Sequence, residues 1–246
     1  SDETTSGELI PPHPELGPEE LVAALKDADP GQWPELIPAV ARLGPAASAA
    51  LQRAISKHPA SKGRQPMLEL LGRTGDRAAS PTLRAALTSG APHPEEAALA
   101  LGRLGAGTAP DPATVQLLRE TLADPTGTSS LRTAAACALW ELHQAASFRG
   151  SEVRNGAGRF LVGILLAGTP AGQKLNQAHG WQLPDRPRWA LERHFAIKTI
   201  ARTQGGNRFG LDTDQPWPTL LNRTRVMAET LEIPVQLAPS SQGQTK

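Results

Sequence analysis

Apolar residues recur along this chain at three- and four-residue steps, in blocks of about 10–15 residues that come in pairs. Leu21, Val22 and Leu25 form one stripe, and Leu36, Ile37, Val40 and Leu43, within 33–43, form its partner. Leu51 and Ile55 pair with Met67, Leu68, Leu70 and Leu71; Leu83 and Leu87 pair with Ala97, Leu101 and Leu104. Val115, Leu118 and Leu122 pair with Leu131, Ala135, Leu139 and Leu142. A fifth, less regular pair is expected over about 153–166 and 189–200, with 168–188 read as a long loop. A last helix is expected after Pro216, on Leu220, Val226, Met227 and Leu231. The only β-like run, 233–237, is interrupted by Pro234.

The punctuation is periodic too. Ala41-Arg42-Leu43-Gly44, Leu71-Gly72-Arg73-Thr74-Gly75 and Leu101-Gly102-Arg103-Leu104-Gly105 return about every 30 residues, and Leu139-Trp140-Glu141-Leu142-His143 is a looser copy. Gly at these places ends a helix, Pro opens the next, and Asp-Pro at 29–30, 111–112 and 124–125 marks the turns. A period of this size predicts an all-α, right-handed solenoid of about five helix pairs, in which each pair stacks on its neighbours. The Ala-rich second helices predict close helix approach.

Paired helices with a Leu-Gly-x-x-Gly end, an Asp-Pro turn and then Leu131-Arg132-Thr133-Ala134-Ala135-Ala136-Cys137-Ala138-Leu139 resemble bacterial HEAT repeats, most closely over 66–143. Thr203, Phe209-Gly210-Leu211-Asp212 and Trp217 are similar to a segment that closes some proteins of that family. The resemblance implies an armadillo-like α-solenoid whose second helices line a concave face, and protein binding rather than catalysis. The expected organisation is a flexible acidic, Pro-rich arm over 1–17, regular repeats over 18–146, divergent helical repeats and a cap over 147–235, and a polar tail over 236–246.

Charge sharpens this division. The formal net charge is +1, yet residues 1–36 carry nine acids against Lys26 alone. An acidic head on a basic body fits self-masking, a basic partner or solubility. Cys137, the single cysteine, lies in an alanine run and reads as packing. No apolar stretch approaches the roughly 18 residues needed to span a bilayer. A start of Ser-Asp-Glu without a leader favours the cytoplasm, with an exported mature chain as the alternative.

Little chemistry is legible in the chain. The six His and Cys137 form no metal-ligand spacing, Gly-x-Ser-x-Gly is absent, and the glycines of 102–107 lack the order of a phosphate loop, so no metal or cofactor is expected. Asp185, Asp212 and Asp214, near Trp181 and Trp217, are the best carboxylates for a hidden site, although turn chemistry accounts for them as well. Arg42, Arg73 and Arg103 occupy equivalent positions. They are either a cationic ladder on the concave face or caps that answer the helix dipole. With Trp140, His143, Arg193 and Arg202 they make the candidate binding set, since Arg and Trp dominate hot spots. The leading expectation is a non-enzymatic scaffold or accessory subunit that binds a protein or peptide. The alternatives are nucleic-acid binding by the basic C-terminal third and a lyase-like activity at the 168–188 loop.

Overall fold

The computed structural model describes residues 16–144, 151–181, 190–235 and 237. Most of the two arms therefore lies outside the described residues, as do Asp185, Arg186 and Arg188 of the expected loop and Trp189, the expected start of the helix after it. Every regular element among the described residues is helical.

First helices α1 (Pro18–Asp27), α3 (Ser48–Lys57), α5 (Ser80–Thr88) and α7 (Pro112–Ala123) alternate with second helices α2 (Trp33–Leu43), α4 (Arg64–Arg73), α6 (Pro94–Gly105) and α8 (Ser129–His143). α1 packs on α3, α3 on α5 and α5 on α7, while α2 packs on α4, α4 on α6 and α6 on α8. Two layers of like helices run through the molecule, as a repeat stack requires. The expected bounds of α2 match, and Asp111 caps α7 by accepting from the backbone N–H of Ala113 at 3.2 Å and of Thr114 at 3.3 Å.

The second-helix layer is close because of what the repeated phrase carries. A Cβ on Gly72 would sit 2.6 Å from Cα of Ala100, and one on Gly102 would sit 2.6 Å from Cα of Ala138. These distances are below any real contact, so only glycine lets α4 meet α6, and α6 meet α8, backbone to backbone. The alanine run 134–138 is fully buried on the other side of that seam. Cys137 shares this burial, which pushes its thiol up to about 12 and makes it inert.

Beyond α8 the plan changes. A short turn α9 (Ser151–Val153) continues through a π-helical stretch, Arg154–Gly158, into α10 (Arg159–Leu165). The connector expected as a loop holds a helix, α11 (Pro170–Ala178). Its signal is Thr169-Pro170: the threonine hydroxyl accepts from the N–H of Gly172 at 3.1 Å, and proline suits the first turn. α12 (Ala190–Thr203) packs on both α8 and α10, and α13 (Trp217–Thr230) closes the end against α10.

α12 lies on α8 in a constant register. Ser129 and Ser130 donate to Glu192 at 3.0 and 3.2 Å, Cys137 pairs with Thr199, the Trp140 indole donates to Thr203 at 3.2 Å, and Glu141 forms an ion pair with Arg202. This parallel seam is polar from end to end, whereas the α6–α8 seam is glycine against alanine.

Candidate functional site

The repeated phrase places one side chain per second helix near its C-terminal end. Arg73 and Arg103 face a common cavity of about 690 Å³, which Arg77, Glu141, Gln144, Arg202 and Thr203 also line. Three of the four arginines are already partnered. Arg73 pairs with Glu69 one turn earlier, Arg103 donates to Glu96 at 3.0 Å with Glu69 at 4.0 Å, and Arg202 pairs with Glu141. The fourth, Arg77, has no ion pair among the described residues. The arginines of the wall are thus backed by carboxylates, Glu141 in the wall itself and Glu69 and Glu96 outside it, and form no unbroken ladder of free cations. The arginines also stand where four helices expose their last carbonyls, so they complement the dipoles there.

Electrostatics within the wall is nonetheless tense. Burial lowers the proton affinity of Arg202, and Arg103 and Arg73 lower it further. Burial raises the affinity of Glu96 for its proton, opposed by Arg103 and reinforced by Glu69. Glu141 is 2 % exposed, and its oxygens accept from no group besides Arg202. A second cavity of about 480 Å³ shares Arg77, Leu104 and Thr108 with the first and adds Leu101 and Leu142. The two make one groove, and its second part carries the Arg84–Asp111 ion pair beside Leu104, Pro110 and Pro112.

The remaining members of the candidate set lie elsewhere. Arg42 is exposed on α2 and lines none of these cavities. Trp140 and His143, expected as concave-face anchors, are core residues at 2 % and 8 % exposure, with ring centres 5.7 Å apart. The reason is positional: Trp140 stands where Gly72 and Gly102 stand in the earlier copies, on the buried seam. Arg193, also expected as an anchor, donates to the carbonyls of Leu165 (3.2 Å) and Ala167 at the end of α10.

That role of Arg193 belongs to a set that sequence reasoning missed. Arg64 opens α4 and donates to the carbonyl of Ile55, in the last turn of α3, and to that of Pro92, both at 3.0 Å. Arg132 on α8 donates to the carbonyl of Leu122, in the last turn of α7, at 3.0 Å. In three pairs a second-helix arginine answers the free carbonyls that end its own first helix. Burial lowers the proton affinity of all three. The set also identifies α10 and α12 as a fifth pair, with α11 inserted between its members.

Other sequence candidates are dispersed. Asp212 accepts from the N–H of Asp214 in a turn. Of the basic C-terminal residues, Arg223 holds the carbonyl of Gly210 and the side chain of Gln215, and Arg208 lies over the Phe209 ring at 4.7 Å. His179 and Trp181, from the expected loop, line a third cavity together with Glu152. That acid is engaged by Arg119 at 2.8 Å. Among the described residues no cluster of three or more His, Cys, Asp or Glu could hold a metal ion, and no helix is long and apolar enough to cross a membrane.

Residues 47–140 match the family of HEAT repeats, so the stretch from α3 into α8 is a HEAT-repeat array. No curated protein and no solved structure matches the chain.

Proposed function

We propose that this HEAT-repeat chain is a non-catalytic scaffold that takes an extended protein segment into the groove at the ends of its second helices. HEAT repeats form helical scaffolds that often mediate protein interactions. The observation that carries the reading is the groove itself: two cavities joined over Arg77, Leu104 and Thr108. A segment with an acidic side chain toward Arg73, Arg77 and Arg103 and an apolar one over Leu104, Pro110 and Pro112 fits its two parts. Single-stranded nucleic acid fits less well, because no aromatic residue lines either cavity to stack on a base, and Glu141 and Asp111 stand among the cations of the lining.

The test is capture of partners by the tagged chain in its own cells, with and without nuclease, comparing wild type with Arg73→Glu/Arg77→Glu. Both arginines are exposed, so the fold should survive. Loss of a stoichiometric, nuclease-resistant partner in the variant is expected. A partner retained undiminished by the variant would refute the groove as its site, and partners lost only to nuclease would favour nucleic acid.

A further inference from the structure

The three capping arginines are not equivalent. Arg64 and Arg193 each give hydrogen bonds to two backbone carbonyls, whereas Arg132 gives one, to Leu122. The rest of its guanidinium lies near the face of Phe160, 5.2 Å from the ring centre. Arg132 is 5 % exposed, and no carboxylate among the described residues stands within ion-pair distance of it. Asp124 acts on it only through space and is itself held by Thr126, whose hydroxyl donates at 2.7 Å. Its terminal nitrogens make no hydrogen bond to the described residues and are not sealed in the core, so they remain open to a group in the adjoining cavity.

Beside Arg132 lies the third cavity, of about 450 Å³, within the range of small-molecule sites. Phe160 and Trp181 meet edge to face in its wall, 5.3 Å between centres, and His179 lies 4.9 Å from Trp181. The π-helical stretch opens the space: Gly156 and Ala157 line it without bulk, and π-helical turns often mark functional sites. Arg119 and Glu152 neutralise each other at the rim. That leaves Arg132 as the cation available to a ligand, with His179 as a further polar group in the wall. The cavity shares no lining residue with the groove proposed for a protein segment.

We propose that this cavity binds a small carboxylate with a flat apolar body, of the aromatic-acid class. The carboxylate accepts from the terminal nitrogens of Arg132, and the ring lies against Phe160 and Trp181. Charge-assisted donation in a half-dry pocket supplies the selectivity for an acid over its neutral analogue, and the aromatic walls supply the preference for a ring.

Isothermal titration of the full chain with 2-naphthoate, and with the uncharged 2-naphthamide, tests this. Saturable one-to-one binding of the acid is expected, at least about tenfold tighter than the amide. Gly156→Leu should weaken the acid at least about tenfold as well, since Gly156 lines the cavity and a Cβ there meets no atom within 4 Å, leaving room for the fold to accept the added bulk. Should that variant melt early, Arg132→Lys, which keeps a donor for Leu122 but loses the fork, carries the same expectation. Absence of saturable binding at about 1 mM acid, equal affinities for acid and amide, or full affinity in a well-folded variant would each overturn the proposal.

Discussion

From α4 to α8, neighbouring second helices touch backbone to backbone; from α8 to α12 they meet through serine, threonine, an indole and an ion pair. The first solution repeats because it needs only one glycine and one facing alanine per copy. The second joins helices across an insertion, and its specificity comes from buried polar partners that must match in register. One helix, α8, presents both seams: Ala138 meets Gly102, and two residues later Trp140 meets Thr203. The array stops being regular where the phrase exchanges glycine for tryptophan and arginine for glutamate.

Four substitutions probe the two seams. The largest effect is expected from Trp140→Ala, which empties the α8–α12 seam. Loss of a buried Trp should lower unfolding free energy by about 4 kcal/mol in denaturant titration. A loss below about 1 kcal/mol would mean that the indole is no wedge. Next is Gly102→Ala, one methyl group against the Ala138 backbone, with an expected loss of about 2–3 kcal/mol, read as a lower melting temperature. The same change at Gly31, where a Cβ meets no atom within 4 Å, serves as the control.

Third, Arg202→Ala leaves Glu141 buried without its cation. Because Arg202 is 42 % exposed, the expected loss is about 2 kcal/mol, short of the value for a fully buried pair. Glu141→Gln in the same chain should restore part of it. The smallest effect sharpens the other seam. Glu96 holds its proton more tightly in the folded chain than its ordinary 4.5, chiefly through burial. Its contribution to stability is therefore full below that pH and declines as pH rises through the folded value. Glu96→Gln should remove this decline, so the wild type loses ground to the variant between about pH 4.5 and neutrality. An unchanged difference across that range would show that Glu96 is not so buried in solution.

Residues of the regular region wrote their role into the sequence; those of the closing region did not. The Leu-Gly-Arg phrase announced helix ends, and the alanine run 134–138 announced close approach, because small residues at fixed spacing have few other uses. Trp140 and His143 looked like surface anchors because a bulky residue at a glycine position gives no hint that the partner helix has moved. Arg64 carried no signal in the sequence, and Arg193 was expected as a binding anchor. Their burial depends on which carbonyls the chain brings back to them, and that is decided by pairing, not by local pattern. Arg42, Arg73 and Arg103 were legible as equivalent positions, although Arg42 lies apart from the cavity that Arg73 and Arg103 share; the carboxylate partners were not legible: Glu96 pairs seven residues along its own helix, and Glu141 pairs with Arg202 across the α8–α12 seam.

The glycine-to-alanine contacts have a mechanical consequence. Where backbones touch, no rotamer can turn and no long side chain can slide, so the line through α4, α6 and α8 is the stiff one. The first helices α1, α3, α5 and α7 make no glycine contact of this kind with one another, the one close approach being Gly63 against the end of α1, and theirs is the compliant side. The repeat array is thus built like a hinged strip with an inextensible edge. Bending opens or closes spaces between first helices while the second-helix line keeps its length, and the groove at the ends of α4, α6 and α8 keeps its spacing while the opposite side breathes.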